Sequence, residues 1–183
     1  MRDSQRGKVY AAENVWRHAL LTEPNWPEPQ YRTVSEVQAR VDEILRRAYI
    51  QKRYGNRIAR GVRVTDGRGS RSARAMTDWG GKSISMPVWS RKDSVIIHEL
   101  CHHFAGLHAK HSWQFAAIML DTVRHLMGKE AALALKAQYK AHRVRYTPPR
   151  PKRPMSPEQR EACIARLATA RAAKAALKAA EGA

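Results

Sequence analysis

The chain has 183 residues, with 34 Lys and Arg against 16 Asp and Glu, for a formal net charge of +18. That length suits one domain with an appendage; a hydrophobic share of 43% and a longest apolar run of six residues, Phe115–Leu120, exclude a disordered chain and a membrane span. Two cysteines, Cys101 and Cys163, make no disulfide framework and no secretory leader follows Met1, so a cytoplasmic setting is expected, and a pI near 10.7 points to a polyanionic partner such as nucleic acid.

In chain order, a first helix is expected from Ser4 to about Leu21, with Val9, Ala12, Val15, Trp16 and Ala19 on one side. The proline-rich stretch Glu23–Pro29 then reads as a loop. Thr33-Val34-Ser35-Glu36 is a capping box that opens a second helix, whose Val37, Val41, Ile44, Leu45 and Ala48 share a face. Three short strands follow, at Gly61–Thr65, Ala73–Trp79 and Lys82–Val88, separated by glycine-containing turns. Helix returns from Asp93, read as its capping residue, with Gly106 and Gly128 as stops. Helices, short strands, then helices argue an α+β domain over residues 1–146. Residues 147–156 hold four of the nine prolines and read as an extended basic linker. Beyond it, Ser156-Pro157-Glu158-Gln159 starts an Ala-, Lys- and Arg-rich helix over 157–183, either a solvated tail or a binding arm.

The chemistry concentrates in one place. Of eight histidines, five lie between 98 and 111: His98, His102, His103, His108 and His111. His98-Glu99-Leu100-Cys101-His102 is an HExxH. On a helix the two outer imidazoles lie about 40° apart and about 6 Å along the axis, close enough to converge on one ion. Glu99 falls beside that face, in reach of a water at the ion, while Ile96, Ile97, Leu100, Cys101, Phe104 and Leu107 fill the opposite arc. A catalytic zinc takes three protein ligands and leaves a position for water. The third comes from beyond Gly106: His111, which opens the next helix, is the first choice, His108 the alternative and an acidic residue such as Asp121 the remainder. His103 points away and packs or faces solvent; Cys101 falls on the core arc as a small apolar residue.

Zn2+ held by His98, His102 and His111 and a Glu99 base would make a peptidase acting on a protein or peptide substrate. The segment Ser83-Ile84-Ser85 lies in a strand just upstream of the helix. It is either an edge strand that pairs with an extended peptide or a plain sheet strand. Tyr139, Tyr146 and the arginines are all open as partners for a developing oxyanion.

The rival reading is a nucleic-acid-binding protein whose zinc is structural. Its support is Arg46–Arg74, with ten basic residues against the single acid Asp66. Arg53, Arg57, Arg60, Arg63, Arg68, Arg71 and Arg74 are its candidate phosphate contacts, and Tyr49, Tyr54 and Trp79 its candidate stacking surfaces. A solvated basic face would look the same.

The stretches Arg2-Asp3-Ser4-Gln5-Arg6 and Tyr10-Ala11-Ala12-Glu13, the HExxH followed by His103, and Met127-Gly128-Lys129-Glu130-Ala131-Ala132-Leu133 carry a likeness. Through them the chain resembles small HExxH metallohydrolases of actinobacteria and their phages, over most of residues 1–145. More distantly, His98–His102 followed by His111-Ser112-Trp113-Gln114-Phe115 is similar to SprT-like zinc metalloproteases, with Ser112 where that family has glycine. The resemblance implies a zincin-like fold and hydrolase activity. The SprT likeness implies action on proteins attached to DNA, in a host cytoplasm if the gene is phage-borne.

Overall fold

The computed structural model describes residues 3, 5–22, 28–78, 80–149 and 156–180. It is α+β and divides into two compact units at the Pro148–Pro149 junction. In the first unit the order is α1 (Arg6–Thr22), α2 (Val34–Arg46), α3 (Ala48–Ile58), β1 (Arg63–Asp66), β2 (Arg74–Asp78), β3 (Gly81–Met86), α4 (Asp93–Ala105), α5 (Trp113–Leu126) and α6 (Lys129–Ala141). The second unit contains α7 (Pro157–Ala180), opened by the expected capping box: Gln159 N–H donates to Ser156 Oγ and Ser156 N–H to Gln159 Oε1, each at 3.2 Å. Ile164 and Leu167 on α7 are exposed, as a helix with so few apolar residues requires. Most of the expected linker lies outside the described residues. No helix among the described residues is long and apolar enough to cross a membrane.

The core forms where the apolar faces of the helices meet. Helix α4 is its axis: Ile96, Ile97, Leu100, Cys101 and Phe104 are all fully buried, and Phe104 stacks flat on Tyr54 of α3 with centroids 4.5 Å apart. Helix α1 delivers Val9, Ala12 and Trp16 into the same core, and the Trp16 indole donates to Ala131 O on α6 at 3.0 Å. Burying that ring is worth about 4–6 kcal/mol at ~25 cal/mol per Å², and the satisfied N–H removes the penalty a buried indole would otherwise carry.

Two helix starts differ from expectation in an instructive way. Thr33 caps α2 by accepting from Glu36 N–H at 3.1 Å, but the Glu36 carboxylate reaches back one residue further, to Arg32 N–H at 2.7 Å. At α4 the N-cap is Lys92, which makes no side-chain cap, and Asp93 is the first helical residue. The orphan Ser94 N–H donates instead to Glu28 Oε1 at 2.7 Å, a cap supplied from distant sequence. Asp93 is then free to take a bidentate pair from Arg40 of α2 (3.0 and 2.6 Å) and a bond from Tyr31 Oη at 2.7 Å. The expected single helix through Ala48 is in fact two, because Arg47 turns extended at φ −61°, ψ 130° and Ala48 opens α3.

The sheet has the order β1-β3-β2, with β1 parallel and β2 antiparallel to β3. The reading of Ser83-Ile84-Ser85 as a peptide-pairing edge is therefore corrected. They lie on β3, the central strand, whose backbone is engaged on both sides: Ser83 stands opposite Arg63 and Met76, Ser85 opposite Thr65 and Arg74. Of the two edges, β1 is held by Gln38 of α2, which donates to Val62 O at 3.0 Å and accepts from Val64 N–H at 2.6 Å. The other edge is β2, where Glu99 of α4 accepts from the Ala75 backbone amide. Buried Arg91 locks the turn from β3 into α4 by donating to Met86 O, Arg32 O and Asp66 Oδ1.

Gly106 ends α4 at φ 85°, ψ 135°, a conformation costly for any residue with a Cβ, and apart from its chain neighbours no atom of the described residues lies within 4 Å of where that Cβ would be. Gly106→Ala therefore pays backbone strain alone: a loss of about 1–2 kcal/mol is expected, read as a lowered urea midpoint at unchanged slope.

Candidate metal centre

One turn of α4 sets His98 above His102, and Gly106 frees the chain to double back. A short 3-10 turn, Leu107–Ala109, leads to Lys110 at φ 48°, ψ −135°, and then to His111. Gln5 braces this return: its Nε2–H donates to His111 O at 3.2 Å, and its Oε1 accepts from Arg145 N–H at 2.6 Å. The imidazoles of His98, His102 and His111 thereby come together, with one ring nitrogen from each lying within 4.8 Å of the others. Phe115, at the start of α5, lies against all three rings, with centroid distances of 5.0, 4.4 and 5.1 Å.

The rings are oriented from behind by carboxylates that sequence reasoning did not single out as part of the site. His98 Nδ1–H donates to Glu13 Oε2 at 2.7 Å, and His111 Nδ1–H donates to Asp3 Oδ2 at 2.7 Å. Each carboxylate fixes a tautomer, so Nε2 presents a lone pair. Both Nε2 atoms are buried and have no hydrogen-bond partner among the described residues. A buried acceptor pair left unmatched is costly in a protein interior, and a cation between these nitrogens resolves it. The triad thus fits a metal ion. Among the described residues the group ends at three.

Glu13 is itself fully buried, which would raise its pKa. His98, Arg17 (Nη2 at 2.8 Å) and the Tyr139 hydroxyl (3.0 Å) outweigh burial and hold it below the ordinary range. Burial opposes charge on His98, yet the Glu13 carboxylate draws its pKa upward. Among the described residues His102 has no such partner: burial and the neighbouring imidazoles push it down to about 2, so it is a neutral base. Burial also lowers His111. Glu99 is raised by burial, against the pull of His98 and the Ala75 backbone amide on the β2 edge.

The remaining candidates lie elsewhere. His108, the alternative third residue, sits on the 3-10 turn exposed to solvent and outside the triad. Asp121 is bonded by the Tyr49 hydroxyl and pairs with Arg53 at 3.3 Å. His103 packs, its Nε2–H donating to Ser83 O at 3.0 Å. Tyr139 is buried on Glu13, away from any substrate. In its place Tyr10, half-buried on α1, has its ring centroid 5.4 Å from that of His98 and 5.0 Å from that of His111.

The seven candidate arginines are all exposed but form no single stripe. Arg63 is on β1 and Arg74 on β2, at opposite edges of the sheet; Arg57 donates to Phe104 O, and Arg68 pairs with Asp66 at 3.6 Å. Of the stacking candidates, Tyr54 is buried against Phe104 and Tyr49 is engaged with Asp121, while Trp79 lies outside the described residues.

No family model matches this chain, and neither a curated protein nor a solved structure does.

The three partners around Glu13 make it a structural as well as an orienting group. Glu13→Ala leaves the buried His98 Nδ1–H without its acceptor and Arg17 without its counter-charge, and a loss of about 3–5 kcal/mol in unfolding free energy is expected by denaturant titration of the metal-free chain.

Proposed function

We propose that this protein is a zinc-dependent peptidase. The observation that carries the reading is the pair of buried Nε2 atoms of His98 and His111, without a hydrogen-bond partner among the described residues, each ring held by a carboxylate on Nδ1 and both beside His102. Three imidazoles suit zinc, and a set of three rather than four protein groups suits a catalytic rather than a structural site. Glu99, on the same helix and at the wall of the adjoining cleft, is the general base.

When bound, the ion supplies Lewis-acid polarisation of the scissile carbonyl and acidifies water at the site towards about pKa 7. Glu99 takes a proton from that water as its oxygen bonds to the carbonyl carbon. The C–N bond then breaks, and Glu99 returns the proton to the departing amine, so that amide and water become acid and amine. A raised Glu99 pKa suits a group that must both take and give the proton. The β2 edge, with Ser72–Ala75 along the cleft, is where an extended peptide would lie. Zincin-like and SprT-like kinship remains part of this proposal.

Purified protein is expected to hold one zinc per chain by elemental analysis. His111→Ala should lose it and His108→Ala keep it. Glu99→Gln should keep the zinc and cut casein at least about 100-fold more slowly. Zinc-free wild type, or a Glu99→Gln variant as fast as wild type, would show the reading to be wrong.

A second reading, contact with nucleic acid, has its own observation. Away from the triad, a cleft of about 360 Å³ is lined by Arg57, Arg60 and Lys82 together with Asn56 and Thr77, with no carboxylate among its described lining residues. Such a face suits phosphates, and would bring the peptidase to proteins bound on nucleic acid. Reversing Arg60 and Lys82 to Glu should weaken duplex DNA binding in a low-salt mobility-shift titration and leave the zinc content unchanged. Equal DNA affinity in the two proteins would leave this face without that role.

A further inference from the structure

The space in front of the triad has two arms. One, of about 350 Å³, runs past Glu99, His102 and His111 and has Arg6, Arg74 and Lys110 among its walls. The other, of about 400 Å³, runs past His98 and Glu99 to Trp89 and Val95. Arg6, Tyr10, Ser72, Ala73 and Glu99 line both arms, so the two meet at the reacting position, and Arg74 and Lys110 belong to the first arm alone.

The arms differ in chemistry. In the first, the carboxylates among the described lining residues are already in use: Asp3 holds His111, and Glu99 is 4% exposed at the reacting position. The cations stand at the mouth. Arg74 is exposed and has no ion-pair partner among the described residues, and the exposed Arg6 guanidinium lies 5.6 Å over the Tyr10 ring, which it approaches as a cation rather than as half of a salt bridge. In the second arm, Trp89 is 57% exposed, as is its neighbour Val88. Large apolar side chains left in water beside a cleft mark a contact surface, since the same area buried would stabilise the fold.

We infer that the substrate of this site is an acidic polypeptide, with carboxylate side chains on the Arg74 side of the bond to be cut and a large apolar side chain on the Trp89 side. This rests on the peptidase reading above. A polypeptide is favoured over a nucleic acid because Arg74 and Ala75, which wall the first arm, begin the edge strand β2, whose backbone groups repeat at the spacing of another extended chain. The arginines supply discrimination: an opposite charge gains a contact and a like charge is repelled by both.

The test uses the full-length zinc-loaded Glu99→Gln protein and fluorescein-labelled peptides in matched acidic, neutral and basic sets, each with and without a Trp or Phe. Anisotropy titrations at low salt are expected to rank acidic over neutral over basic, with about ten-fold or more between the extremes. Arg74→Glu, at an exposed position, should reverse the order, and Trp89→Ala should remove only the gain from the aromatic. Equal affinity across the sets, a ranking unmoved by Arg74→Glu combined with Arg6→Glu, or an oligothymidine that binds tighter than the acidic set and is lost with Arg74→Glu, would each overturn the inference. Wild-type enzyme offered the same sets reads the other claim separately. If it cuts none of them, the peptidase reading fails, while the binding order still decides which ligand the cleft selects.

Discussion

Two carboxylate–imidazole bonds organise this molecule. Burying three imidazoles side by side is unfavourable unless each is fixed in a neutral tautomer and aimed, and Glu13 on His98 and Asp3 on His111 do this for two of them. Both carboxylates come from the N-terminal segment. The burial of Val9, Ala12 and Trp16 that seats α1 in the core is thus what brings Glu13 to the site, and the Trp16 bond to Ala131 ties that seat to α6. A fully buried carboxylate costs several kcal/mol unless surrounded by donors, and Glu13 has three: His98, Arg17 and Tyr139. Core packing and site geometry are here the same interaction seen from two sides.

That coupling explains which parts were legible in the sequence. The HExxH was readable because its geometry is local: four residues on a helix place two rings on one face whatever surrounds them. His111 was readable in kind, as a histidine after a glycine stop, but its advantage over His108 depends on the turn through Lys110 and on the Gln5 brace, which no spacing displays. Glu13 and Asp3 were quoted only as part of a likeness. They stand 85 and 108 residues from the histidines they orient, and a side-chain bond across that distance leaves no periodic trace. Topology was hidden for a related reason. Ser83-Ile84-Ser85 read equally well as an edge or an inner strand, and only the parallel return of β1 beside β3 makes them central. Tyr10 was quoted in the same likeness, and only the packing of α1 shows it facing the triad.

Net charge was the most visible feature and the one most altered by position. Several arginines serve the fold: Arg91 is buried in the turn before α4 and pairs with Asp66, Arg40 pairs with Asp93, and Arg17 with Glu13. Those cations satisfy interior acceptors and project little field outward. A formal +18 therefore overstates what a ligand meets, because a paired cation is screened by its own counter-charge over a distance shorter than the Debye length.

At the proposed zinc site the same accounting runs in the other direction. Glu13 and Asp3 bring two negative charges behind the triad, formally equal and opposite to the two positive charges of the ion they help to hold. Arg17 offsets part of the Glu13 charge again. The centre is then close to neutral as seen from the cleft, and the field at the mouth is set by groups that take no part in holding the metal: Arg6, Arg74 and Lys110. Separating the two tasks has a physical advantage. The carboxylates tune how tightly the ion is held without repelling an anionic ligand, and the arginines select that ligand without competing for the ion, so the charge of the preferred substrate can differ from that of the site's own side chains.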